Sequence, residues 1–131
     1  MSLFRGKLGY IANRKRIDDL STIYDNYDSE IAIFDKPFCF QELYMPLADS
    51  YSLKKYGEDV SRMLRMYVNI NQWYGKIHVG DRAYLIDEST SQCDINSLAY
   101  EDDEYCSKAN YQVVSVEVQN IKLKVEFEKI N

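Results

Sequence analysis

Tyr111-Gln-Val-Val-Ser-Val-Glu-Val118 and Ile121-Lys-Leu-Lys-Val-Glu-Phe-Glu-Lys-Ile130, separated by Gln119-Asn120, decide the fold. The second run alternates almost without fault: Ile121, Leu123, Val125 and Phe127 fall on one side, Lys122, Lys124, Glu126 and Glu128 on the other. Successive side chains of a strand point to opposite faces, so a period of two predicts antiparallel strands with one face buried. The same period returns in Val60-Ser-Arg-Met-Leu-Arg-Met-Tyr-Val68, where Val60, Arg62, Leu64, Met66 and Val68 make the expected core face and Ser61, Met63, Arg65 and Tyr67 oppose them.

Working outward, Lys76-Ile-His-Val79, a Gly80-Asp81 turn and Arg82-Ala-Tyr-Leu-Ile86 carry a hairpin signal, with Trp73 and Tyr74 in the connector before it. Glu30-Ile-Ala-Ile-Phe34 predicts a first strand, stopped at Asp35-Lys-Pro37, and Phe38-Cys-Phe-Gln-Glu-Leu-Tyr-Met45 a second, closed by Pro46. Between them and the basic strand, residues 48 to 59 are polar, contain Gly57 and open with the candidate N-caps Asp49 and Ser50, which predicts a loop or short helix. Residues 87 to 108 have no steady period and predict a surface excursion. Residues 1 to 30 read as an N-terminal arm with room for one helical turn. About six strands with little helix make a small barrel or sandwich the economical solution. The expectation is a mainly β protein, with one small antiparallel β-barrel over residues 31 to 131.

At 131 residues the chain suits one domain. Twelve Tyr, five Phe and one Trp suit half-buried strands and interfaces. Three cysteines, Cys39, Cys93 and Cys106, with no Cys-x-x-Cys pair and a single histidine, fit neither a disulfide scaffold nor a zinc site, and a reducing cytoplasm is expected. No apolar run reaches the roughly 20 residues of a membrane span, and the first residues lack the apolar core and cleavage site of a signal peptide.

A formal charge of −5 argues against a free-standing nucleic-acid binder. The distribution is more informative. Arg5, Lys7, Arg14, Lys15 and Arg16 occupy an acid-free stretch, while Asp87, Glu88, Asp94, Glu101, Asp102, Asp103 and Glu104 occupy a base-free one. Opposite blocks of this kind can meet across subunits; taken singly, each equally fits a solvated arm or loop.

His78 sits between Ile77 and Val79 and fits a structural or surface histidine better than a general base. No nucleophile elbow, phosphate loop or zinc-ligand spacing is present. Glu101-Asp-Asp-Glu104 offers oxygens but lacks the spacing and central glycine of a calcium loop, so no metal and no cofactor is expected. Lys54 and Lys55 beside Tyr51 and Tyr56 put charge and rings on one loop, a pairing able to touch a phosphate backbone, with an exposed loop as the plain alternative.

From Phe38 onward the order of elements resembles the head-completion, or stopper, proteins of long-tailed bacteriophages, a head-tail joining family. The strand ending Leu43-Tyr-Met-Pro-Leu47, a loop with Tyr56-Gly57, Arg62-Met-Leu-Arg-Met-Tyr67, Ile77-His-Val-Gly-Asp-Arg-Ala-Tyr-Leu85, Asn110-Tyr-Gln-Val-Val-Ser-Val116 and Lys122 to Lys129 follow in sequence. The resemblance implies a non-catalytic barrel subunit in a ring of six or twelve copies at the virion neck, assembled in the host cytoplasm. A portal or adaptor ring would lie above, a tail terminator or tail tube below, and genomic DNA in the lumen. It further implies a channel loop over Asp49 to Asp59, with Lys54, Lys55 and Gly57 as the residues of interest. The arm and the acidic excursion depart from the compact family pattern, which leaves stopper, neighbouring neck protein and tail terminator open. A monomeric binding module, either a protein inhibitor or an oligonucleotide-binding barrel, is the rival from another class.

Overall fold

The computed structural model describes residues 6–14, 22–24, 30–32, 34–47, 50–87, 89–101, 106 and 108–130. Its strands are β1 (Lys7–Ala12), β2 (Thr22–Tyr24), β3 (Glu30–Ala32), β4 (Phe38–Glu42), β5 (Tyr44–Pro46), β6 (Met63–Asn69), β7 (Arg82–Tyr84), β8 (Tyr111–Gln119) and β9 (Lys122–Lys129). Helices α1 (Ser50–Tyr56), α2 (Ile70–Trp73) and α3 (Gln92–Glu101) and a 3-10 segment, Gly57–Arg62, complete it.

Seven strands form one antiparallel sheet in the order β4-β1-β7-β8-β9-β6-β5. Its two edges, β4 and β5, are consecutive pieces of one segment separated only by Leu43. The segment Phe38–Pro46 therefore pairs with β1 through its first half and with β6 through its second, and the sheet curls onto itself as a small barrel. Counting that segment once, six strands circle the axis. A bulge at Val114, between the Val113 and Ser115 pairings, bends β8 and adds to the curl.

Ile11, Phe40, Tyr44, Leu64, Met66, Val68, Leu85, Val113, Leu123, Val125 and Phe127 fill the inside. Burial of this kind contributes about 25 cal/mol per Å² of apolar surface, which makes the interior the main source of stability. A second cluster lies outside the sheet, where Ile95 and Ala99 of α3 cover Ala12, Phe34 and Tyr84. The α2 turn plugs one end: Trp73 packs edge-on to Phe40, ring centroids 5.4 Å apart, and tilted against Phe38.

The alternating faces of β6 and β9 are as expected for Leu64, Met66, Val68, Leu123, Val125 and Phe127. Several expectations are corrected. Residues 7–12 are not an arm but an inner strand between β4 and β7. Their apolar signal is weak because a Cβ at Gly9 would come within 2.7 Å of the Phe40 ring, so a side chain from β4 fills the space that a residue on β1 would occupy. Glu30–Ala32 pairs with Thr22–Tyr24 in a separate two-stranded sheet, and Phe34 reaches the body through an isolated bridge to Arg14. Val60–Arg62 belongs to the 3-10 segment, so the strand starts at Met63. Ile77 is buried without being in a strand, and the acidic excursion contains α3. Finally, the β8–β9 turn is Asn120-Ile121, with Asn120 at φ +58° and Ile121 73% exposed; the register is one residue later than Gln119-Asn120 implies.

Candidate functional site

The expected channel loop is anchored to the barrel wall. Helix α1 ends at Gly57, whose φ of +62° lies in the left-handed region that a side chain would strain, and the chain turns there into the 3-10 segment. This lays the segment over the outward faces of β6 and β9, where Arg65 and Glu126 are directly paired. Both the Nε and one Nη of Arg65 donate to Glu126 Oε2, at 3.0 and 2.7 Å, and the same Nη donates to Ser52 Oγ at 2.6 Å. Glu126 Oε1 accepts from the Tyr56 hydroxyl at 2.5 Å and has Lys55 Nζ at 3.8 Å. Burial alone would raise the Glu126 pKa, but the hydrogen bonds from Tyr56 and Arg65 outweigh it and hold the carboxyl below its ordinary value. Burial and the Glu126 carboxylate push the Tyr56 hydroxyl up.

Of the channel-loop residues, Tyr56 and the exposed Lys55 thus reach Glu126, and Lys54 is exposed. Asp49 lies outside the described residues, as does the side chain of Tyr51. The basic block is divided by β1, with Lys7 at the start of the strand and Arg14 two residues beyond its end, roughly 20 Å apart at strand rise. Arg14 donates its backbone N–H to Asp81 Oδ1 at 2.9 Å. Glu101 ends α3 with Lys108 at 3.5 Å. Arg5, Lys15, Arg16, Asp102, Asp103 and Glu104 lie outside the described residues.

The Gly80-Asp81 turn is a staple. The buried Asp81 carboxylate accepts from Asn13 Nδ2 at 2.7 Å and from the His78 backbone N–H at 2.8 Å, besides Arg14. The His78 ring is half exposed, with Nδ1 3.8 Å from Asp81. Among the described residues no three His, Cys, Asp or Glu side chains are grouped to hold a metal ion.

Antiparallel pairing brings the starts of β1, β6 and β8 and the ends of β5, β7 and β9 to the end of the barrel opposite α2. That end is an open cavity of about 620 Å³ among Lys7, Pro46, Arg62, Met63, Leu64, Ile86, Asp87, Ser89, Tyr111 and Lys129. Asp87 accepts from Tyr111 at 2.8 Å, from Lys129 Nζ at 3.1 Å, and from the Ser89 backbone N–H and hydroxyl at 2.8 Å each. Burial opposes its charge, yet these donors win and hold the Asp87 carboxyl well below the usual carboxylate range. Burial and the neighbouring Asp87 push the Tyr111 hydroxyl far up, and burial takes Tyr44 to about 12. Sequence alone did not single out this end, because its groups come from six separate strand termini. Nor did it single out the Arg65–Glu126 pair, which needs the β6–β9 register.

No family model and no curated protein matches the chain. Among solved structures, the solution structure of protein SF1141 from Shigella flexneri 2a is similar, with a TM-score of 0.51 at 9% identity over 98% of this chain and 96% of that one. At that identity the likeness is one of fold.

Proposed function

We propose that this chain is a structural connector of a tailed-phage neck, working as a ring of copies between a portal or adaptor and a tail component, with DNA passing through the lumen. What supports the proposal is a small, curled antiparallel barrel with its loop segments on the outside, together with the resemblance of the sequence to the stopper proteins. Phe38–Pro46 supplies both sheet edges, so few strand groups are left for adding a neighbour's strand. Subunits would therefore meet through side chains and excursions. The β2–β3 hairpin suits that role, since two strands alone are marginally stable and gain from docking against a neighbour. The separated cations and the acidic stretch from Glu101 supply complementary charge for a head-to-tail contact of roughly 800 Å² per partner. Lys54 remains exposed on α1 for a weak, salt-sensitive hold on DNA.

The experiment is particle assembly without this chain. The proposal expects filled heads that leak DNA and carry no tails, with joining restored by adding the purified protein. Tailed, infectious particles formed in its absence would overturn it.

A further inference from the structure

The open end of the barrel carries a second inference, independent of ring formation. We propose that it is a binding site for a phosphoryl-bearing anion. Three cations from three different strand ends converge there: Lys7 at the start of β1, Arg62 immediately before β6, and Lys129 at the end of β9. The only carboxylate among the described lining residues is Asp87, whose charge is matched by Lys129 and held by Tyr111 and Ser89. With three positive charges against one negative, the described lining has a net charge of +2 on a chain whose total is −5. A dianion matches that balance, and the partly enclosed setting strengthens each contact over its value in open water.

The donor set favours a phosphoryl group. Arg62 donates from one Nη to the Lys129 carbonyl at 2.7 Å, one of the five N–H donors of a guanidinium fork suited to oxyanions. Lys7 is exposed, its ammonium 5.3 Å from the centre of the Tyr44 ring, and keeps the hydrogen-bond donors of a point charge. The hydroxyls of Ser61 and Ser89 on the same lining already donate to the Glu58 carbonyl and to Asp87, so Lys7 and Arg62 supply the donors. Met63, Leu64, Ile86 and Pro46 add apolar surface to the lining, and about 620 Å³ is far more than a bare phosphate fills. The ligand class is a phosphate with an attached body, either a free organic phosphate or a phosphate of a nucleic-acid backbone.

The test is an amide-resolved NMR titration of the full chain with pyrophosphate at constant ionic strength. Saturable shifts are expected at Ser61, Met63, Leu64 and Ser89. Lys7→Gln and Arg62→Gln should each weaken binding roughly tenfold, while Lys122→Gln, at the start of β9 and so at the opposite end of the barrel, leaves it unchanged. Both lining residues are exposed, and unchanged unfolding curves confirm that the variants fold. A short DNA duplex that pyrophosphate displaces from the same residues assigns the phosphate to DNA; pyrophosphate binding without duplex binding assigns it to a free ligand. Shifts that never saturate, or an equal loss in Lys122→Gln, would overturn the site.

Discussion

At one end of the barrel Trp73 wedges between Phe38 and Phe40, whereas at the other the strands finish in Lys7, Arg62, Asp87 and Lys129 around open space. The first end is built like a core and the second like a surface. Antiparallel strands bring chain ends to both rims equally, so the difference lies in the α2 turn and in the side chains. At the plug Trp73 adds buried aromatic area, while at the rim Lys7 and Arg62 stay exposed and Asp87 is held by Lys129, Tyr111 and Ser89. Stability should therefore concentrate at the plug and on the walls, and recognition at the rim and on the excursions.

Trp73→Ala is the sharpest way to break this contrast. It should cost about 3–5 kcal/mol in denaturant unfolding, whereas Lys7→Gln at the rim should stay within about 0.5 kcal/mol. Equal costs would show that the plug is not the stabilising end. Next in size is Glu126→Ala, which strands Arg65 against the wall without its carboxylate and should cost about 3 kcal/mol. The double change with Arg65→Met should recover part of that loss, which a double-mutant cycle measures.

Acid supplies the third test. Asp87 and Glu126 titrate below their ordinary values in the folded chain, so the stability they add is fully present above the unfolded carboxylate range near pH 4. It declines as pH falls through the lower folded values. Asp87→Asn should flatten this acid limb by on the order of 1 kcal/mol and leave the Glu126 part in place. An unchanged limb would mean that the rim carboxylate contributes nothing to folding. The smallest effect is that of Lys54→Ala, within about 0.5 kcal/mol of the parent in thermal unfolding, since the side chain is exposed on α1.

The same contrast explains what the sequence made legible. The β6 and β9 strands could be read from their period of two, and with β8 beside them the mainly β class and the barrel. β1 was hidden because Gly9 yields its space to Phe40, and α3 because its buried face is only Ile95 and Ala99 within a polar stretch. Polar sites fared worse. Tyr56 and Lys55 stood out as loop residues, but their partner Glu126 looked like an ordinary outward residue of β9 until the loop was seen to cover it. The rim could not be assembled from spacing at all, since Lys7 and Lys129 stand near opposite ends of the chain.

The central claim is that this barrel acts through its outside, by repeating around an axis. Native mass spectrometry of the full chain, alone and with a portal or adaptor ring, tests it most directly. The account predicts a closed assembly of six or twelve copies, formed alone or on the partner ring and loosened by salt. A chain that stays monomeric at every concentration and binds neither ring would contradict it.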